Sequence, residues 1–229
     1  MRLIAESIEQ NVTLSAYLLN LLTQQIASKL PDLVTSNTIA KQSLFYPRLL
    51  TFFRWSELNE TQQQLKTNVV RAHAALCEFF AKSKAKVLYE KNYKCISRTF
   101  NSFTESDLDE YVGILRNLNS SVAACILWDN VIRFSVESGK KCFEPHRQHI
   151  LDLFVKNVVM TKVKVADIVA PFCFANTMHQ ISLEDFTNTL LPAIQKAVLR
   201  SAETSLVLIA FLLDPLPLDL SHAVQGIVL

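Results

Sequence analysis

The chain has 229 residues, half of them hydrophobic and 19% charged, so it has enough apolar material for a packed core and is not an intrinsically disordered chain. Only three glycines and seven prolines occur, which are too few for the turns of a many-stranded β fold or for a glycine-rich phosphate loop. The formal net charge of +2 is too close to neutral to indicate a nucleic-acid-binding protein by itself.

Apolar residues recur at spacings of three and four along almost the whole chain, which is the period of an amphipathic α-helix. Alternation typical of strands is hard to find. Pro47 lies inside the second predicted helix, where a kink is expected. The predicted helices are about 13–29, 37–55, 60–81, 84–100, 104–118, 120–137, 146–160, 164–178, 182–200, 203–213 and the start of another near 218.

Two of these helices begin with residues that cap a helix amino terminus. Ser182 is followed three residues later by Asp185, a variant of the capping box, whose usual partner at that position is Glu or Gln. Thr104 precedes an acidic first turn at 105–109, which places negative charge at the positive end of the helix dipole. Both patterns support the predicted helix starts.

The helices pair into hairpins at regular intervals. Their first helices begin near residues 13, 59, 104, 146 and 182, and a period near 40–47 with two helices per unit is typical of HEAT and armadillo arrays. Such units stack because one helical pair cannot bury its own apolar face. We therefore predict an all-α, HEAT/armadillo-like solenoid over residues 1–229, with about five hairpins and the start of a sixth. The alternative is an irregular helical bundle.

The last hairpin, residues 181–213, has the clearest pattern. Pro192 interrupts its first helix, and its second helix at 206–213 is apolar all round. Another helix starts after Pro217 and stops at residue 229 without a polar closing face, so we expect the chain to be a fragment of a longer array. The apolar residues predicted to share one face of the first helix are Leu183, Phe186, Leu190, Leu191, Ile194, Val198 and Leu199.

Three stretches in this half carry a resemblance to a known family. They are HILDLFVKNVVMTKVKV at 149–165, LEDFTNTLLPAIQKAVLRSAE at 183–203 and LDLSHAVQGIV at 218–228. Through these stretches, the region 146–229 resembles the N-terminal region of the general-control translational activator family, whose members are very large HEAT-repeat proteins. Ala202 stands where the family has proline in a Ser-Pro-Glu turn, a departure that touches no chemistry.

The resemblance implies a cytoplasmic, non-catalytic scaffold that associates with ribosomes and contributes to activating the initiation factor 2 alpha kinase during amino-acid starvation. In the family, that kinase and an ATP-binding-cassette protein are contacted through downstream segments, which we expect to be absent from this chain. The alternative function is a generic HEAT/armadillo adaptor or transport receptor that binds peptide or helical segments in its concave groove. No cofactor is expected for either function.

Localisation is predicted from the apolar runs and the cysteines. The longest apolar runs, 206–213 and 122–128, are far shorter than the roughly 20 residues of a membrane-spanning helix. Glu6 and Glu9 interrupt the start of the chain, so no secretory signal peptide is expected. The five cysteines are odd in number and scattered, unlike a secreted disulfide framework. We therefore expect a cytoplasmic protein without a membrane partner.

The candidate ribosome or RNA contact lies in residues 82–98, which contain six basic residues and one Glu. On a helical wheel Lys84, Lys91, Lys94 and Arg98 fall within about 80° of one another, and such a basic stripe suits phosphate groups. A merely solvated outer face is the alternative. The opposite side is predicted to hold Ala85, Leu88, Tyr89, Ile96 and Phe100, and a weaker basic cluster is formed by Lys156, Lys162 and Lys164.

The remaining polar residues include candidates for metal ligands and for catalytic groups. Cys142, His146 and His149 have a spacing that metal ligands use, but a fourth ligand is missing locally, so no metal site is predicted. The sequence contains no G-x-S-x-G, H-E-x-x-H or G-K-[ST] motif. His73 lies between two alanines on a helix and is interpreted as a packing residue. We therefore predict no catalytic residues and no enzymatic activity.

Overall fold

The computed structural model describes residues 21, 44–51, 55–57, 63–161, 165–200 and 210. Every regular element within these residues is helical, and no β-strand occurs among them. The prediction of an all-α, helical-repeat fold is confirmed. None of the described helices is both long enough and apolar enough to cross a membrane. Apart from residues 21 and 210, the predicted helices at 13–29, 203–213 and beyond 218 lie outside the described residues.

The chain divides into two compact units, Met1–Asn119 and Ser120–Leu229. Each unit is held by contacts among its own helices, as described below. That both belong to one solenoid over residues 1–229 stays a prediction.

The first unit is organised around its longest described helix. The described elements are α1 (Phe45–Leu50), a 3₁₀ turn (Trp55–Glu57), α2 (Gln63–Lys82), α3 (Lys86–Asn101) and α4 (Glu105–Arg116). The longest helix, α2, packs against α1, α3 and α4, and α1 also packs against α3.

The core of this unit is built from the apolar side of α2 and a cluster of aromatic rings. The periodicity in α2 is confirmed, since Leu65, Val69, Ala72, Leu76, Phe79 and Phe80 are all buried. The Tyr111 ring lies 4.9 Å from Phe100 and 5.4 Å from Trp55, measured between ring centroids. Rings at such separations attract one another beyond the effect of burial alone. These contacts join α4, α3 and the 3₁₀ turn.

Pro47 does not kink a long helix at 37–55, as the sequence predicted. It is the third residue of α1, where a backbone N–H has no acceptor within the helix, so proline costs little. The helix ends at Leu50, where the Thr51 N–H and hydroxyl both donate to the Arg48 carbonyl oxygen, at 3.3 and 2.7 Å. Residues 37–43 and 52–54 lie outside the described part.

A three-residue turn joins α2 to α3. The Ser83 N–H donates to the Phe79 carbonyl oxygen at 3.2 Å, and the Lys84 N–H donates to the Ala81 carbonyl oxygen at 3.1 Å. Lys84 has φ of +53°, the left-handed conformation that glycine adopts most easily after a helix. The turn therefore uses a lysine where its geometry favours a residue without a Cβ.

Replacing Lys84 by glycine is expected to raise the free energy of unfolding by about 1 kcal/mol. A side chain in the left-handed region costs about 1–2 kcal/mol, and the greater freedom of glycine in the unfolded chain offsets part of the gain. Urea unfolding followed by circular dichroism measures the difference. Lys84→Ala removes the same charge and keeps the Cβ, so it should not stabilise; equal stabilisation by both variants would contradict the turn geometry.

The second unit is organised around α5 (Val122–Ser138). This helix packs against α6 (Arg147–Phe154), α8 (Ala175–His179), the turn at Val155–Val159 and the turn at Pro171–Phe174. The α-helices are α5 (Val122–Ser138), α6 (Arg147–Phe154), α7 (Val165–Ile168), α8 (Ala175–His179), α9 (Leu183–Asp185) and α10 (Leu191–Arg200). Between them lie 3₁₀ turns at Glu144–His146 and Pro171–Phe174, and π-helical turns at Val155–Val159 and Phe186–Leu190.

Local signals explain the two ends of α5 and its central position. The Ser121 hydroxyl accepts from the Ala124 N–H at 3.2 Å, which caps the amino terminus. Gly139 follows the last residue with φ of +72°, a helix end that glycine allows. All residues from 124 to 132 are buried, including Trp128. A helix that is apolar nearly all round in this way needs neighbours on several sides.

The single helix predicted at 164–178 is broken into α7, the turn at Pro171–Phe174 and α8. Pro171 has no N–H to donate and restricts the residue before it, so Ala170 is extended with ψ of 149°. The prediction of one helix was wrong because the helical period continues through a proline that the backbone cannot accommodate.

The helix predicted at 182–200 is present as α9, a π-helical turn and α10, which follow one another without a break. The Ser182 hydroxyl accepts from the Asp185 N–H at 3.0 Å and completes a capping box, as Thr104 and Asp107 do in α4. In the π-helical turn the Leu191 N–H donates to the Phe186 carbonyl oxygen, five residues back. This wider turn directly precedes Pro192, which cannot donate the next α-helical hydrogen bond.

Two residues predicted on the buried face of this helix are exposed instead. Phe186, Leu190 and Ile194 are buried, whereas Leu183 is 55% exposed and Leu199 is 88% exposed. Leu199 lies five residues after Ile194, which places it about 140° away around an α-helix. The apolar face is therefore narrower than the sequence pattern indicated.

Candidate functional site

The basic stripe predicted on α3 is present for three of its four residues. Lys91, Lys94 and Arg98 are exposed and lie within about 60° around the helix axis. On the other side of α3, Tyr89, Ile96 and Phe100 are buried, as predicted, whereas Ala85 and Leu88 are only half-buried. The name basic stripe is used below for Lys91, Lys94 and Arg98.

Lys84 is exposed but does not lie on the stripe. Helix α3 begins at Lys86, with Ala85 as its N-cap, so Lys84 belongs to the preceding turn. The predicted helix start at residue 84 was wrong, because the helical wheel was extended through a turn with left-handed backbone. A role of Lys84 in ribosome contact stays a prediction.

The charges of the stripe are not neutralised within the described part of the chain. No carboxylate there lies within 4 Å of Lys91, Lys94 or Arg98. Amino and guanidinium groups in such positions are hydrated and available to an anionic partner. Ion pairs elsewhere among the described residues include Lys66–Glu110, Lys82–Glu78, Arg133–Glu137 and Arg147–Asp185.

Arg48, which the sequence did not single out, lies near the stripe. Helix α1 packs against α3, and Arg48 is exposed on α1. Burial raises the pKa of the Cys95 thiol on α3, and the positive charges of Arg98 and Arg48 partly offset that rise. We call Arg48, Lys91, Lys94 and Arg98 the basic face. No sequence pattern links Arg48 to α3, because the two helices meet only in the folded unit.

The weaker basic cluster is only partly described. Lys156 is exposed in the π-helical turn Val155–Val159, and Lys162 and Lys164 lie outside the described residues. Whether these lysines form one surface stays a prediction.

The histidines considered as metal ligands lie against a tryptophan. The ring centroids of His146 and His149 are 5.6 and 6.3 Å from that of Trp128. Cys142 is buried. Among the residues that the structure describes, no group of three or more His, Cys, Asp or Glu side chains is arranged to hold a metal ion.

His73 is enclosed in the first unit, and its interpretation as a packing residue is confirmed. The side chain is buried, with Nδ1 2.8 Å from the Tyr111 hydroxyl oxygen. Burial lowers the pKa of His73 to about 4, so the imidazole is neutral at neutral pH. A shifted pKa can mark a functional site, but here packing and one hydrogen bond account for the residue.

His73 is expected to make the first unit less stable as pH falls from about 6.5 to 4. In that range the unfolded histidine binds a proton and the folded one does not, which amounts to about 3 kcal/mol at roughly 1.4 kcal/mol per pKa unit. His73→Gln should therefore lose less stability on acidification than the wild type in urea unfolding. Tyr111→Phe is the control, since it removes the hydrogen bond and should retain the pH dependence. An unchanged pH dependence in His73→Gln would contradict the burial.

Asp129 was not singled out from the sequence, although it is an acidic residue that directly follows the apolar run 122–128 in α5. It is buried and accepts three hydrogen bonds from the start of α8: from the Thr177 N–H at 2.7 Å, the Thr177 hydroxyl at 2.9 Å and the Asn176 amide at 2.9 Å. Burial raises the pKa of Asp129 to about 6, and the hydrogen bonds and the charge of Arg133 act against that rise. The carboxylate thus caps α8 from a neighbouring helix.

Asp129→Ala is expected to lower the free energy of unfolding by about 2–4 kcal/mol, because the Thr177 N–H and hydroxyl lose their acceptor inside the protein. Asp129→Asn retains the shape and removes the charge. Since the pKa is raised, the wild type loses stability as pH rises through about 6, by up to about 3 kcal/mol between pH 4 and 7. In urea unfolding, the free energy of unfolding of Asp129→Asn should therefore increase relative to that of the wild type as pH rises over that range. A constant difference would contradict a raised pKa.

Comparison with known proteins finds similarity in the second half of the chain. Residues 147–228 match the family described as "Stalled ribosome sensor GCN1 N-terminal". The human protein named "Stalled ribosome sensor GCN1" is 37% identical over 83 residues, which are 36% of this chain and 3% of the relative. The mouse protein of the same name is 36% identical over 122 residues, 53% of this chain and 4% of the relative. No solved structure matches the chain.

The matched region coincides with the residues that carry the sequence resemblance, so the predicted resemblance is confirmed. The chain spans only 3–4% of the length of these curated relatives. The basic stripe on α3 precedes the matched residues 147–228. The family and the stripe are therefore two independent observations.

Proposed function

Because residues 147–228 match the family of stalled ribosome sensor N-terminal regions, we propose that this chain is part of a non-catalytic, ribosome-associated scaffold. The family match carries this proposal. The basic stripe supports it, since Lys91, Lys94 and Arg98 offer positive charge to solvent without a carboxylate partner among the described residues.

The mechanism in this proposal is geometric. Packed helical units hold a surface at a fixed position, and the exposed cations on α3 bind ribosomal phosphates. Phosphate neutralisation releases counterions and so favours association most strongly at low salt. No chemical step is required of any side chain.

The wider role in the proposal is activation of the initiation factor 2 alpha kinase in the cytoplasm during amino-acid starvation. The kinase and an ATP-binding-cassette protein would be contacted by other segments of the longer family proteins. This chain would contribute ribosome contact and spacing. The matched region 147–228 connects the chain to that family, and the stripe supplies a surface suited to an anionic partner.

The chain is expected to co-sediment with purified ribosomes, and the charge reversal K91E/K94E/R98E should weaken that association about tenfold or more. If three phosphates are neutralised, raising salt from about 50 to 200 mM should weaken wild-type binding on the order of 30-fold, with a much smaller effect on the variant. Sedimentation through a sucrose cushion at several salt concentrations measures both quantities.

A matched control is available in the second unit. Lys141, Lys156 and Lys196 are exposed, so K141E/K156E/K196E changes the net charge by the same amount without touching the stripe. It should sediment as the wild type does. If it alone loses binding, the ribosome is contacted through the second unit and the stripe hypothesis is wrong. Absence of wild-type sedimentation, with capture of a helical peptide instead, would favour the adaptor alternative.

A further inference from the structure

Within the described residues, the basic face offers positive charge and no exposed aromatic ring. The aromatic residues of α3, Tyr89, Tyr93 and Phe100, are all buried, with at most 3% of their surface exposed. The exposed large hydrophobic residues in the described part of the chain include no Trp, Tyr or Phe. Exposed rings on which unstacked bases lie are the usual feature of surfaces that bind single-stranded nucleic acid. Among the described residues of α1 and α3, the basic face lacks this feature.

The charges of the face have a fixed spacing. Lys91 and Arg98 are seven residues apart on α3, which places them about 10 Å apart along the helix axis. Arg48 is contributed by a second helix packed against the first. Packed helices therefore fix the backbone positions from which these cations extend. Such an arrangement suits a partner whose anionic groups are also regularly placed.

The amino acids of the face are typical of nucleic-acid interfaces. Lysine is depleted at protein–protein interfaces, whose centres are apolar, and cations are strongly enriched at nucleic-acid interfaces. Val87, which is 66% exposed, is the one large apolar side chain exposed on the described length of α3. Single exposed residues of this kind are ordinary. On the described length of α3, no cluster of exposed apolar side chains that could anchor an acidic peptide accompanies these cations.

We propose that the basic face formed by Arg48, Lys91, Lys94 and Arg98 binds the phosphate backbone of double-helical RNA without reading its base sequence. The inference rests on the proposed function, since it names the partner of the same surface. In a duplex the bases are stacked away from the protein, so phosphate contacts alone suffice. A duplex also gives more counterion release per phosphate contact than a single strand does.

The test is fluorescence anisotropy with the 229-residue chain and three labelled probes. The probes are an RNA duplex of about 16 base pairs, one of its strands alone and a polyglutamate peptide of equal charge. The duplex should bind at least about tenfold more tightly than the other two. A second duplex of unrelated sequence should bind within about twofold of the first.

Variants of the face separate the contributions of its residues. R48E/K91E/K94E/R98E should weaken duplex binding at least about 30-fold and lower the slope of log K against log salt by about 3. R48E alone should weaken binding several-fold, and R48K should restore most of it. Circular dichroism and the urea midpoint verify that each variant is folded. Unchanged binding by folded R48E would remove Arg48 from the face.

Tighter binding of the single strand or of polyglutamate would overturn the inference. Failure of the inference and failure of the proposed function are distinguishable. Ribosome sedimentation without duplex binding would overturn only the RNA partner. Duplex binding by the face without ribosome sedimentation would overturn the proposed function and leave the RNA partner standing.

Discussion

The burial of one side of α3 is the constraint on which the candidate surface depends. Tyr89, Ile96 and Phe100 must leave water, and they do so within a unit centred on α2. On a helix this fixes the direction of every other side chain, so Lys91, Lys94 and Arg98 must face solvent. The packing of the core therefore sets the spacing of the charges, and no separate interaction is needed to hold the stripe in place.

The second unit depends on a different kind of contact. The short helix α8 has too few residues to be stable by itself. Asp129 of α5 accepts from the Thr177 N–H, one of the orphan donors of its first turn, and from the side chains of Thr177 and Asn176. Arg147 plays a related part at α9, where its guanidinium donates to the capping carboxylate of Asp185 at 2.8 Å. This contact acts together with the hydrogen bonds from Ser182 to lower the pKa of Asp185 despite its partial burial.

Prolines shaped the second unit in two ways that the periodicity alone did not separate. Pro171 ends the helical run and produces a 3₁₀ turn, whereas Pro192 lies two residues after the end of a π-helical turn inside a continuous helix. A second π-helical turn follows α6, and α10 packs against it. Each wider turn shifts the angular positions of the residues that follow it relative to those before it.

The sequence by itself determined the all-α class, most helix positions, the caps at Thr104 and Ser182, the buried face of α2 and the family resemblance. These features depend on residues three or four positions apart, whose relation a helix fixes. Only the structure showed that Lys84 lies in the turn before α3, that Arg48 lies on a helix packed against the helix of Arg98, and that Asp129 accepts a hydrogen bond from the Thr177 N–H. The last pair is 48 residues apart along the chain. Contacts of this kind depend on how separate helices pack, and a periodic pattern contains no information about that packing.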